Sequence, residues 1–320
     1  MSALDGPRVV ALGGGHGLSA SLQALRTVTP HLSAVVTVAD DGGSSGRLRE
    51  ELGVLPPGDL RMALAALAGE DEWGAVWGRL LQHRFDGDGP LAGHAAGNLL
   101  LAGLMATEGD VVRALDLVVR LLGGTGRVLP ASRVPLEIRA HVLGHDPTAP
   151  TELSEVRGQV AVALTPGDVV ALSLEPPDPP ACEEAVQAVL EADWVVLGPG
   201  SWCTSVITHL LVPGLRAALE QTAGTRIVAL NLAPQPGETE GWAPEAHLDA
   251  LLVHAPDLAV DVVLADERAV LDRRGLMAAA QACGARLLLA PVAAGDGTPR
   301  HDPARLAAAY DSIFTGAAWR

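Results

Sequence analysis

Val9-Val10-Ala11-Leu12-Gly13-Gly14-Gly15-His16-Gly17-Leu18 opens with four apolar residues and runs into five of which only His16 is not glycine. A short apolar run bounded by glycine reads as a buried strand. Leu18, Leu22 and Leu25 then recur at helical spacing, and Pro30 sets a limit to that helix. Leu32–Val38 is a second run, rich in Val, that ends in Asp40-Asp41-Gly42-Gly43-Ser44-Ser45-Gly46-Arg47. The spacing predicts a β-α-β unit with a glycine-rich loop at the carboxyl end of each strand.

Outward from this unit, the pattern from Asp59 to Leu122 is helical almost throughout, with Asp110 as a cap and Gly123 as a stop. Between Arg127 and Leu174 the period changes to two in places, as in Leu136-Glu137-Ile138-Arg139-Ala140-His141-Val142. That alternation predicts short antiparallel strands or a flap, closed by a Pro-rich hinge at Glu175–Pro180. The α/β pattern resumes with a helix over 181–192, a strand over 194–197, a helix over 213–221 and a strand over 226–230. A last strand near 286–289 precedes a helix from Asp302. The expectation is an α/β, Rossmann-like, open and mostly parallel sheet with helices on both faces. It forms a single domain over residues 1–320, with an inserted helical and short-strand section at about 127–175.

Composition narrows the functions. The 320 residues are 48% hydrophobic and 19% charged, which excludes a disordered chain. No apolar run approaches the ~18–20 residues of a membrane span. Met1–Arg8 shows neither a basic leader nor an apolar signal segment, so a cytoplasmic protein without membrane insertion is expected. All 22 basic residues are Arg. With no Lys there is neither a Schiff-base amine nor a Walker-type phosphate loop. The net charge of -16 opposes binding to nucleic acid, and one Tyr with two Phe cannot build a base-stacking platform. Cys182, Cys203 and Cys283 form no CxxC pair and read as buried, reduced thiols, with Cys203 set apart because it follows a glycine-rich loop. The His residues show no paired metal-ligand spacing, and no metal site is assigned from local sequence.

The candidate chemistry lies in the loops. Gly13, Gly14, Gly15, His16 and Gly17 precede a helix, where glycine lets backbone approach a phosphate and free amides face it. Leu18 stands where the strict dinucleotide fingerprint has its last Gly. Asp40 is placed to accept from ribose hydroxyls, as in a dinucleotide fold. Asp40 and Asp41 could instead hold a divalent metal, with Ser44 and Ser45 as hydroxyl donors beside Gly42 and Gly43. Asp59 and Arg61 start another helix. Gly198, Pro199, Gly200, Ser201, Thr204 and Ser205 suggest a second phosphate nest, and Asn231 and Gln235 end a further strand. Asn98 and His94 lie in a Gly-flanked stretch able to line the same cleft. With no Lys, Arg47 and Arg300 are the cations best placed to neutralise a diphosphate.

Seven stretches in order resemble the gluconeogenesis factor, or UDP-N-acetylglucosamine-binding protein, family, a distant relative of 2-phospho-L-lactate transferase. They are GGGHGLS (13–19), VADDGGSSGRLR (38–49), LPPGDLR (55–61), GHAAGNLLLAGL (93–104), GPGSWCTS (198–205), LNLAPQPGET (230–239) and RHDPARLA (300–307). The resemblance implies a Rossmann-like fold, nucleotide-sugar binding and a cytoplasmic role linking carbon metabolism to cell-wall synthesis and cell shape. It implies no established reaction. The family usually has Thr at the position of His16 and more often Leu-Tyr at Trp202-Cys203.

The leading expectation is a non-catalytic regulator that takes UDP-N-acetylglucosamine as ligand and requires no cofactor. The alternatives are a metal-dependent phospholactate-type transferase, with magnesium on Asp40, Asp41 or Asp59, and an NAD-binding protein. A regulated protein partner and a homo-oligomer are both compatible with that role.

Overall fold

A computed structural model describes residues 6–319; Met1–Asp5, part of the stretch read for a leader, lie outside the described residues. The strands are β1 (Val9–Gly13), β2 (Leu32–Val36), β3 (Arg127–Pro130), β4 (Glu137–Leu143), β5 (Leu153–Arg157), β6 (Asp168–Glu175), β7 (Trp194–Leu197), β8 (Thr225–Ala229), β9 (Val262–Asp266) and β10 (Arg286–Ala290). The helices that frame the site are α1 (Gly15–Leu25), α2 (Gly43–Leu52), α3 (Pro57–Ala66), α4 (Glu72–Gln82), α5 (Ala96–Glu108) and α6 (Val111–Leu121). They continue with α7 (Gln159–Ala163), α8 (Glu183–Glu191), α9 (Ile207–Leu210), α10 (Pro213–Gln221), α11 (Pro244–His254), α12 (Arg273–Ala282) and α13 (Pro303–Phe314). A single π turn, Trp202–Val206, leads into α9.

Seven strands form one parallel sheet in the order β10-β9-β8-β7-β1-β2-β3. β1 is an interior strand beside the central β7, with Val9 opposite Leu32 of β2 on one side and Trp194 of β7 on the other. All five of its residues are buried, which is why it reads as an uninterrupted apolar run rather than an alternating one. The Rossmann-like expectation therefore holds. The second, antiparallel sheet has the order β5-β4-β6, and the alternating stretch at 136–142 is its middle strand.

Two details differ from the sequence reading. The section expected at about 127–175 divides, because Arg127–Pro130 pairs in parallel with β2 as the edge of the main sheet and only β4–β6 with α7 form the insertion. β9, α11 and α12 fill the interval between 230 and 286 that the periodicity left unassigned. β9 is fully buried and so has no alternation to announce it.

One continuous apolar core runs from β1 and β2 through β7–β9 to α13. α13 packs against α1, and Tyr310 sits fully buried between them. Its hydroxyl is 2.9 Å from Ser21 Oγ, and Ser21 in turn donates to the Gly198 carbonyl at 3.3 Å.

Candidate nucleotide-binding site

β1 and β7 are neighbours in the sheet, yet the chain proceeds from one to β2 and from the other to β8, on opposite sides. Such a reversal opens a crevice outside the carboxyl ends of the strands. Gly13 ends β1, Gly14 is the N-cap of α1, and Gly15, His16 and Gly17 form its first turn, where amides lack an acceptor within the helix. Leu18 is buried and anchors that turn to the core. Gly17 packs on the loop after β7 so closely that a Cβ there would overlap the Pro199 carbonyl and the Gly200 Cα. Gly15 has φ of +56°, the left-handed region that glycine enters without steric cost.

Asn231, after β8, ties this loop to the next strand. It accepts from the Gly200 amide at 2.9 Å and donates to the Gly200 carbonyl at 2.8 Å and to Gln235 Oε1 at 3.0 Å. A cleft of about 450 Å³ lies between these loops and is lined by His16, Gly17, Pro199, Gly200, Asn231, Gln235 and Arg300. These expected residues, drawn from four separate stretches, meet in one place. The Arg300 side chain is 72% exposed at the rim, where it pairs with Asp296 at 2.9 Å and donates to Thr298 Oγ1 at 3.0 Å.

Behind Gly14 and Gly15 lies Asp59, in the first turn of α3 and only 8% exposed. A Cβ on Gly14 would overlap Asp59 Oδ2 and come within 2.8 Å of Thr37 Cγ2 and 3.0 Å of Ser205 Oγ. Asp59 Oδ2 and Thr37 Oγ1 are buried without a hydrogen-bond partner. Burial raises the Asp59 pKa from 3.8 to about 7; the charge of Asp40 adds to the rise, while the Gly15 amide and Arg61 oppose it.

The neighbouring groups are tied to the protein itself. Asp40 accepts from the Gly42 amide at 2.9 Å, and its other oxygen shares the space beside Gly58 with Ser45 Oγ. Asp41 turns away and accepts from the Val160 amide of α7 at 3.0 Å, with its second oxygen filling the space beside Gly158. The two carboxylates read as a pair thus take different partners, because one of them fastens the insertion to the main sheet. Gly43 begins α2, and Ser44 is buried within a network. Ser44 Oγ lies 2.9 Å from His94 Nδ1 and accepts from Asn98 Nδ2 at 2.9 Å, while Arg61 Nε donates to Asn98 Oδ1 at 2.9 Å. Burial, with the Arg47 charge, lowers the His94 pKa and so disfavours the charged ring in this network. Arg47, read as a phosphate cation, instead donates to the carbonyls of Ala92 and Pro90 and braces the loop before α5.

Ser201 and Thr204 are likewise not an open nest. Ser201 Oγ donates to Glu238 at 2.6 Å, the Cys203 amide reaches Glu238 at 3.3 Å, and Thr204 Oγ1 lies 3.2 Å from it. A carboxylate of the chain occupies the place expected for phosphate. Cys203 is buried beside it, and burial with the Glu238 charge pushes its thiol pKa upward, away from nucleophilic reactivity. Ser205, of the same expected nest, instead faces Gly14, and Thr37 and Glu238 draw no role from the sequence reading. Glu238 alone carried a signal, in the Gly237-Glu238-Thr239 stretch after β8. Among the described residues no group of three or more His, Cys, Asp or Glu is gathered in metal-ligand geometry.

The family model of 2-phospho-L-lactate transferase CofD matches residues 9–283. The putative gluconeogenesis factor of Mycobacterium tuberculosis (strain ATCC 25618 / H37Rv) is 54% identical over 308 residues, covering 95% of this chain and 90% of that one. The chain belongs to the CofD family, in its gluconeogenesis factor group. The family likeness extends to the gluconeogenesis factor of Halalkalibacterium halodurans, 40% identical over 80% of this chain and 76% of that protein. It extends also to the fold: the crystal structure of a UPF0052 family member from Bacillus halodurans superposes with a TM-score of 0.84 at 32% identity, over 95% of this chain and 98% of that one. The matched family segment contains both glycine loops and Asp59, and Arg300 and α13 lie beyond it. Among the described residues no helix is long and apolar enough to cross a membrane.

Proposed function

We propose that this gluconeogenesis factor family member binds a nucleotide sugar, UDP-N-acetylglucosamine, in the switch-point cleft and acts as a cytoplasmic regulator without turnover. In that role it couples carbon metabolism to cell-wall synthesis and cell shape. The observation that carries the reading is the convergence of His16, Gly17, Gly200, Asn231 and Arg300 on one cleft at the start of α1. The diphosphate would lie at the start of α1, where backbone dipoles and a guanidinium offset its charge.

A second reading is favoured by one feature. Asp59, with an unpartnered oxygen and Asp40 beside it, is the acidic pair that suits magnesium in a transferase of the phospholactate type. There Asp40 and Asp59 would hold the ion, which would supply charge neutralisation for phosphoryl oxygens. Calorimetric titration with UDP-N-acetylglucosamine, UDP-glucose, NAD and GDP, each with and without magnesium, ranks the readings. Separation of the recovered ligand completes the test. Intact UDP-N-acetylglucosamine bound without magnesium supports the regulator, and a protein-dependent transfer or breakdown product replaces it with the transferase.

A further inference from the structure

A second cavity, about 260 Å³, lies beyond the cleft and shares its Asn231–Pro234 wall. Pro234, Trp242, Pro244 and Leu271 give it flat apolar sides. Its polar groups are few and incompletely satisfied. His247, only 5% exposed, stands edge-on to Trp202 and Trp242, with ring centroids 4.8 Å and 5.4 Å away. Neither of its ring nitrogens has a partner in hydrogen-bond geometry. The carbonyls of Ala243 and Pro244 lie beside the ring, and as acceptors they can serve only a protonated nitrogen. Burial lowers the imidazole pKa, and a neutral ring has one nitrogen that is an acceptor; no donor stands within reach of either. Glu245 Oε2 is a second buried acceptor without a donor. Leu271, 96% exposed, stands at the mouth as an apolar side chain with nothing over it.

An apolar slot whose unpaired groups are acceptors selects a flat ring that brings N–H donors along its edge. Leaving those acceptors dry and unpaired is unfavourable, so the missing donors are part of the site. Nucleobases have this chemistry: uracil offers one ring N–H, and guanine offers adjacent ring and amino N–H groups. We infer that this cavity is the nucleobase slot of the ligand whose phosphates occupy the cleft, with the ring between Trp242, Pro234 and Leu271 and its N–H edge toward Glu245 and His247. The inference rests on the nucleotide reading of the cleft and adds to it where base selectivity resides.

The test uses the full chain and titrates UDP-N-acetylglucosamine, UDP, GDP, CDP, ADP and inorganic pyrophosphate. Variants are Trp242→Ala, Glu245→Gln and Leu271→Asp, the last at a site too exposed to disturb folding. Each variant is expected to weaken the preferred nucleotide at least tenfold and to flatten the ranking of bases, while pyrophosphate binding stays within twofold. If wild type binds UDP-N-acetylglucosamine and all three variants match it, the slot is wrong and the cleft reading stands. If another nucleoside diphosphate is preferred and the variants weaken that one, the slot stands and the UDP-sugar reading falls. Absence of nucleotide binding in wild type overturns both.

Discussion

Both oxygens of the Glu238 carboxylate lie 2.6 Å from the Ser201 hydroxyl, at the head of the π turn that follows β7. An anion at a helix start is electrostatically favoured, and here the chain supplies its own. Burial raises the Glu238 pKa while its hydrogen bonds from Ser201, Cys203 and Thr204 lower it, so the ionised form depends on those donors.

Glu238→Ala should therefore lower unfolding free energy by about 2 kcal/mol, the range for hydrogen bonds to a charged group. Sulfate should restore part of the loss in the variant by entering the vacated place, and should do little for wild type. Urea unfolding with and without sulfate measures both. Equal sulfate responses would mean that the position is not an anion site.

Asp59 yields a pH prediction with a definite sign. Its folded pKa, about 7, lies above the ordinary value of 3.8. The folded state holds the proton while the unfolded chain releases it, so stability is fully present below about pH 4 and is lost as pH rises to about 7. The gap corresponds to roughly 4 kcal/mol as an upper bound. Asp59→Asn, compared with wild type in the presence of a chelator, should gain Tm relative to wild type from pH 4 to pH 8. A constant difference across that range would show that the carboxyl titrates normally.

At Gly17 the expected loss is steric. Ala there must displace the Pro199 carbonyl or α1, so Gly17→Ala should destabilise by about 2 kcal/mol and abolish ligand binding, as overpacking does in well-filled sites. At Gly15 the nearest neighbour of a Cβ is Asp59 Oδ1 at 4.0 Å, and the cost is backbone strain of about 1–2 kcal/mol. Thermal melts and titration of the two Ala variants separate overlap from strain.

Arg300→Ala should weaken UDP-N-acetylglucosamine binding by about 1.5–3 kcal/mol if the guanidinium leaves Asp296 for the diphosphate. Its exposed pair with Asp296 contributes little to stability, so Tm should barely move. Arg273→Ala, whose side chain reaches the Glu267 carbonyl away from the cleft, should change affinity by less than about 0.5 kcal/mol. Equal losses in both variants would reduce the effect to general electrostatics.

Asp41→Asn should loosen the insertion without touching the cleft. Faster amide exchange at Val160 is the expected readout, with unchanged nucleotide affinity in the presence of a chelator. A variant that loses magnesium-dependent binding would return Asp41 to the metal reading.

The legible parts of the fold were those where a pattern is local. The β1 run, the Leu18-Leu22-Leu25 stripe and the alternation at 136–142 each show their period within a dozen residues. β9 did not, because a strand buried on both faces looks like any apolar run. At the site, glycines that face a crevice were recognisable from their place after a strand. The partners of polar side chains were not: Glu238 reaches Ser201 across 37 residues, and Asp41 reaches Val160 across 119. Nothing in local sequence tells whether a helix start will receive a ligand or a carboxylate of the same chain.

The Tyr310–Ser21–Gly198 chain has a bearing on where the molecule can be cut. The stretch that matches the family model ends at Cys283, before β10 and α13, yet the sole tyrosine of the chain braces the loop after β7 from α13. A fragment trimmed to the matched stretch would bare the α1 surface that α13 covers and leave Ser21 without its phenol partner. The last helix, through Leu306, Ala309, Tyr310 and Ile313, is therefore part of the same packed core as the matched stretch, although the family model stops before it.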